Sequence, residues 1–264
     1  MVEFLLYLLT GACTGLLSGL LGIGGGLVIV PMLLLLLAPH HVPAQHLMHV
    51  ALGTSLATII FTAISSARAH HLRGGINWPI ACRITSGVVL GTLGGAWLAA
   101  QLHTEWLKLF FVIFVFYAGT QLLLGFNPPP SRRLPGKAIM FGAGNVIGIV
   151  SSLVGIGGGT LSVPFLLYYQ CPMREAVGTS AFIGLPLAIA GAVGYAIMGW
   201  GVAGLPPYSL GFVYLPAVAG ITLASIVTAP YGAKLAHHLP VATLKKLFAL
   251  LLYTLGLKML WGLL

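Results

Sequence analysis

The chain has 264 residues, 58% of them hydrophobic and only 6% charged, with a formal net charge of +9. A soluble domain carries roughly 25% charged residues, so this composition excludes a water-exposed globular surface and places the chain in a membrane as apolar helices. Runs such as "FFVIFVFYAG" at 110–119 do not alternate, which excludes a β-barrel, and the basic residues sit in short loops instead of forming one face, which argues against nucleic-acid binding.

Ten apolar segments follow in chain order: 4–21, 27–38, 47–66, 79–101, 106–125, 139–154, 160–170, 176–198, 208–236 and 243–263. The first begins "MVEFLLYLL", without the basic n-region of a signal peptide, and reads as a membrane helix. The second and seventh are too short to cross a bilayer core upright, which takes about 20 residues. Each directly follows the pentapeptide GIGGG, at Gly22–Gly26 and Gly155–Gly159. Between the fifth and sixth segments, "FNPPPSRRLPGK" (126–137) reads as a basic-side linker. It divides the chain into a first membrane repeat, 1–125, and a second, 138–264.

The halves match element by element. Pro31 aligns with Pro164, "LGTS" (Leu52–Ser55) with "VGTS" (Val177–Ser180), "WPIACRITSG" (78–87) with "LPAVAGITLA" (215–224), and "WLKLFF" (106–111) with "TLKKLF" (243–248). The loop at 67–77 carries Arg68 and Arg73, while its counterpart near 199–207 is uncharged. The fourth-to-fifth connection carries Glu105 and Lys108 in the first half, but Lys234, His237, His238, Lys245 and Lys246 in the second. The basic side therefore swaps, and the two repeats are expected in opposite orientation. Parity between the basic linker and the uncharged loop requires the chain to reverse at GIGGG. The expected fold is all-α and polytopic: two inverted-topology repeats, each a GIGGG-turn helical hairpin plus three spanning helices. Both termini are expected outside.

A turn inside a membrane frees backbone N–H and C=O groups, tolerated only where protein or a water-filled cavity satisfies them. The short helix that follows begins there, and helix N-termini carry partial positive charge and unpaired donors. Gly22, Gly24, Gly25, Gly26, Gly155, Gly157, Gly158, Gly159 and Thr160 are therefore candidate contacts for a small anion, with the two turns expected to face each other. Close helix packing is the alternative for such glycines and suits Gly87, Gly91 and Gly95 better. The duplicated Gly53, Thr54, Ser55 and Gly178, Thr179, Ser180 add hydroxyls near the start of a span. These either donate to the anion or bond the carbonyl one turn back. Asn145 is a candidate cavity-lining residue, as is Arg83, whose simpler reading is snorkelling to the interface. The only acidic residues, Glu3, Glu105 and Glu175, lie near segment ends. A cationic substrate would lack a counter-charge within the spans.

No dinucleotide fingerprint or phosphate-binding G-x-x-x-x-G-K-[ST] loop is present, and no nucleophile, metalloprotease or paired-aspartate constellation lies in the spans, so no enzyme activity and no cofactor are expected. Cys13, Cys82 and Cys171 lack metal or disulfide spacing and read as small buried residues. Four histidines, His40, His41, His46 and His49, crowd the connection after the second segment. They support an alternative, a metal-cation permease, although they match no established ligand motif.

The paired GIGGG motifs, each followed by an apolar run with proline and then GTS opening a helix, resemble the sulfite exporter TauE/SafE family of membrane permeases. The resemblance covers essentially the whole chain. It implies transport, in the export direction, of small sulfur-containing oxyanions such as sulfite or organosulfonates across the prokaryotic inner membrane. The expectation is a secondary transporter working by alternating access, with a small anion as substrate and a proton as candidate coupling ion.

Overall fold

The computed structural model describes residues 2–21, 25–37, 42–124, 135–236 and 241–262. Gly22, Gly24, His40, His41, His237, His238 and most of the 126–137 linker lie outside the described residues. The helices are α1 (Val2–Leu21), α2 (Gly26–Leu37), α3 (Leu47–Leu72, preceded by a 3-10 turn at Ala44–His46), α4 (Trp78–Gln101), α5 (Thr104–Leu124), α6 (Lys137–Val154), α7 (Gly159–Tyr168), α8 (Met173–Met198), α9 (Leu215–Ala236) and α10 (Val241–Trp261). The protein is an all-α polytopic membrane protein. The two segments after the glycine motifs are the short ones, α2 with 12 residues and α7 with 10. At 1.5 Å per residue these reach about 18 and 15 Å, roughly half a bilayer core.

Three boundaries differ from the sequence reading. The expected 208–236 segment begins instead with an antiparallel hairpin, β1 (Ser209–Leu210) paired with β2 (Val213–Tyr214). Tyr208 (φ 66°) and Gly211 (φ 56°) hold left-handed conformations that no helix accepts. Helix α3 continues to Leu72, since no breaker occurs before Gly74 and Gly75, and α8 starts at Met173, directly after Pro172. Among the described residues, six helices are long and apolar enough to cross a membrane: α3, α4, α5, α6, α8 and α9. The expected set had α10 in place of α6. Helix α10 carries Lys245, Lys246 and Lys258 within its 21 residues, and α6 attains spanning length although the chain turns back after it.

The direction of each helix follows from its contacts. Asn77, which caps α4, bonds to Thr179 and Glu175 in the first turns of α8, so α4 and α8 start at the same end of the bundle. Helix α6 runs parallel to α4: a side chain at Gly144 would meet Ile84 and Val88, and one at Gly95 would meet Ile149 and Ser152. Helix α6 thus sets out from that end, α7 returns to it, and α8 leaves it again. Helices α1 and α9 are likewise parallel, Gly220 lying against Phe4 and Tyr7, and Gly15 against Ser225 and Thr228. By contrast α3 and α8 are antiparallel, with Gly53 against Tyr195 and Gly191 against Leu56. Helices α5 and α10 are antiparallel too, Gly119 against Tyr253 and Gly256 against Val115 and Phe116. These directions put the start of α1 and the end of α10 at one end of the bundle. Arg73, Lys137 and Arg174 lie at the other.

Close approach of backbones carries the two parallel contacts. The carbonyls of Phe141 and Asn145 pack onto Gly87 and Gly91 where any side chain would overlap them. The core is centred on α3, whose residues from Leu47 to Ile59 are all buried.

Candidate functional site

The second glycine motif is a broken turn in the middle of the protein. Gly155 adopts a left-handed conformation (φ 71°) and ends α6; its N–H and that of Ile156 both donate to the Ser151 carbonyl, at 2.8 and 3.1 Å. Gly158 (φ 42°) precedes the first turn of α7, accepting from the N–H of Leu161 at 3.1 Å and of Ser162 at 2.8 Å. Only glycine takes such angles without strain. The N–H groups of Gly157, Gly158 and Thr160 make no hydrogen bond among the described residues. They stand at the positive end of α7.

The two turns meet. A Cβ on Gly26, the first residue of α2, would lie 2.5 Å from the Gly155 carbonyl oxygen and 3.0 Å from Ile156 Cα. Gly25 packs on Thr14 and Ile29. Around the second turn stand Ile59 of α3 beside Gly157, and Leu187 of α8 beside Gly158.

The GTS triplets do something the sequence did not suggest. In α3, Gly53 gives passage to the backbone of the hairpin: a Cβ there would lie 2.6 Å from the Phe212 carbonyl. Thr54 accepts the Tyr214 N–H at 3.0 Å, and Ser55 donates to the Gly155 carbonyl at 2.8 Å. In α8, a side chain on Gly178 would overlap the Gly75 carbonyl, and Thr179 accepts the Asn77 N–H at 2.9 Å. Each Gly-Thr pair therefore seats a loop that enters a distant helix, that of α9 on α3 and that of α4 on α8. The one-turn-back bond is made by Thr58, to the Thr54 carbonyl at 2.8 Å. The Ser180 hydroxyl is buried without a hydrogen-bond partner among the described residues, as are the hydroxyls of Ser151, Ser152 and Ser162.

The remaining candidates fall elsewhere. Asn145 lies on the α4–α6 seam, ten residues before Gly155, its backbone against Gly87 and Gly91 and its side chain half-buried. Arg83 is exposed on the second turn of α4, as a snorkelling side chain is. His49 is buried, its Nε2 2.9 Å from the Ala99 carbonyl, and the rings of His46 and His49 pack on Phe212 with centroids 5.5 and 5.1 Å away. These two histidines anchor the hairpin; among the described residues no group of three or more metal-ligating side chains assembles. Cys13 and Cys82 are exposed, contrary to the expectation of burial, because they lie on outer helix faces; Cys171 is buried. Burial, and secondly the Glu175 charge, push the Cys171 thiol up to about 11. Sequence reasoning missed Ser162, which carries no motif, and Tyr195, fully buried with its hydroxyl donating to the Ser152 carbonyl at 3.0 Å.

A bundle of apolar helices with an internal glycine turn and half-length helices suits a polytopic membrane transporter. Comparison with known proteins agrees. The Sulfite exporter TauE/SafE family model matches residues 7–259, and the chain belongs to that family of membrane transporters. A probable membrane transporter protein of Haemophilus influenzae is 42% identical over 257 residues, 97% of each chain. The probable membrane transporter protein YunE of Bacillus subtilis is 29% identical across 75% of this chain and 80% of its own. The probable inner membrane transporter protein TsaS of Comamonas testosteroni is 26% identical across 72% and 77%. No solved structure matches.

Proposed function

We propose that the protein is a secondary transporter that exports small oxyanions, such as sulfite or organosulfonates, by alternating access between two inverted halves, 1–125 and 138–264. The observation that carries this reading is the meeting of the two glycine turns at Gly26 and Gly155, with unpaired N–H groups at the start of α7. Such donors suit an anion and need no counter-charge. Glu3, Glu105 and Glu175, the only acidic residues, all stand in the first turn of a helix. No carboxylate is therefore available at depth to hold a cation or relay a proton. A proton can instead travel on the substrate, as bisulfite.

The inverted arrangement is supported by matched helices running antiparallel, α3 with α8 and α5 with α10, and by the reciprocal seating of Tyr214 on Thr54 and Asn77 on Thr179. Two halves related by an axis in the membrane plane require both. The basic end then faces the cytoplasm of a prokaryotic inner membrane, with both termini outside. The test is sulfite flux in proteoliposomes. Wild-type protein carries sulfite, and Gly158→Leu, which puts a side chain at a left-handed position 3.2 Å from Leu187, abolishes the flux. Unchanged flux in that variant would remove the turn from the pathway.

A further inference from the structure

The short helices that follow the two glycine motifs, α2 and α7, occupy matched places in the sequence but are unlike in their surroundings. Helix α2 is enclosed: Gly26 through Pro31, with Leu33, Leu34 and Leu37, are buried. Helix α7 buries only Ser162 and Leu166, and its remaining residues are partly open. The residues that follow the motifs differ in kind. Aligning Gly26 with Gly159 sets Leu27 against Thr160 and Ile29 against Ser162. Leu27 and Ile29 are 1% and 2% exposed, filling the space beside their helix end with hydrocarbon.

Ser162 is fully buried, and its hydroxyl has no hydrogen-bond partner. A buried hydroxyl left unpaired costs free energy that a ligand acceptor recovers. Its Oγ lies 3.5 Å from where a Cβ on Gly158 would stand, beside the residue that caps the start of α7. The N–H groups of Gly157, Gly158 and Thr160, without a hydrogen bond among the described residues, belong to the same helix end. Four donors and the positive pole of a helix thus occur together at one turn. At the other, the matched side chains are apolar and packed.

We infer that the transporter holds an oxyanion at the second turn, with the Ser162 hydroxyl donating to an anion oxygen beside the Gly157, Gly158 and Thr160 N–H groups; the matched start of α2 presents Leu27 and Ile29 in place of Thr160 and Ser162. This rests on the oxyanion reading above and assigns the ligand contact within it. A pyramidal sulfite or the trigonal oxygens of a sulfonate fit such a donor set, because several oxygens can each accept one donor.

The test is ligand-induced thermal stabilisation of the detergent-solubilised full chain by sulfite, methanesulfonate and sulfate, with sulfite flux in proteoliposomes beside it. Ser162→Ala is expected to weaken the apparent sulfite affinity about tenfold, the scale of one hydrogen bond to a charged group. Ile29→Val, its first-half counterpart, stays within about twofold of wild type, since it removes one methylene from a packed site. If Ser162→Ala does not fold, Ser162→Cys keeps the volume and removes the strong donor. Wild-type affinity in the Ser162 variants overturns the inference, and equal losses in Ser162→Ala and Ile29→Val overturn the asymmetry. Stabilisation without flux overturns the transport reading and leaves the site standing. If none of the three anions stabilises wild type, both readings fall.

Discussion

Replacing Thr179 with valine tests the seating of one half on the other. The side chains are nearly equal in shape, so packing is kept and only the hydroxyl is lost. Thr179 is fully buried, and its Oγ1 is the acceptor for the Asn77 N–H at 2.9 Å. Asn77 is also the cap of α4, its Oδ1 accepting from the Ile80 N–H at 3.3 Å while its Nδ2 donates to Glu175 at 2.8 Å. A partly buried backbone donor left without its acceptor costs about 1–2 kcal/mol. For a chain of this size each kcal/mol moves the midpoint by about 2–4 °C, so Thr179→Val is expected to melt about 3–6 °C below wild type. Thr54→Val deprives the Tyr214 N–H of its acceptor in the same way and should show a similar drop. The two losses should add in the double variant, since they act on different loops with no shared partner. The assay is thermal unfolding in detergent followed by intrinsic fluorescence. Midpoints of both single variants within about 1 °C of wild type would refute the reasoning, because a seating bond worth that little seats nothing.

Two further outcomes are expected. A C-terminal alkaline phosphatase fusion should be active and a C-terminal fluorescent-protein fusion dark, because the end of α10 lies opposite the basic loops; the reverse pattern would overturn the orientation. Cys171, buried and with its thiol pushed up to about 11, stays a neutral thiol from about pH 7 to 9 and should resist maleimide while exposed Cys82 is labelled. Mass spectrometry after brief labelling reads the difference, and equal labelling of the two would contradict the packing around Cys171.

Much of the path of the chain is legible in the residues. Helix α7 was expected to be short and to follow a reversal, because 160–170 is too brief to span and because loop charges leave an even number of crossings before α8. The match of "LGTS" with "VGTS" was legible as well, but its role was not. A threonine hydroxyl near a helix start reads equally as a ligand donor or as a local bond to the preceding turn. Its actual partners, Tyr214 and Asn77, are 160 and 102 residues away in the chain. Likewise nothing local marks Ser162, a lone serine in an apolar run, as a buried hydroxyl without a partner.

Composition and hydropathy patterning alone determined that the protein is a helical membrane protein, with a helix too short to span after each GIGGG. They could do so because hydrophobic length, loop charge and glycine content are local quantities that act on each segment wherever its neighbours lie. The tertiary structure alone decided what the glycines and hydroxyls touch. It set Gly26 against Gly155, turned the Gly-Thr pairs into seats for the loops that enter α9 and α4, and left the start of α7 polar and partly open while enclosing that of α2 in hydrocarbon. Those outcomes depend on which backbone arrives from a distant part of the chain, and a motif does not record its future neighbours.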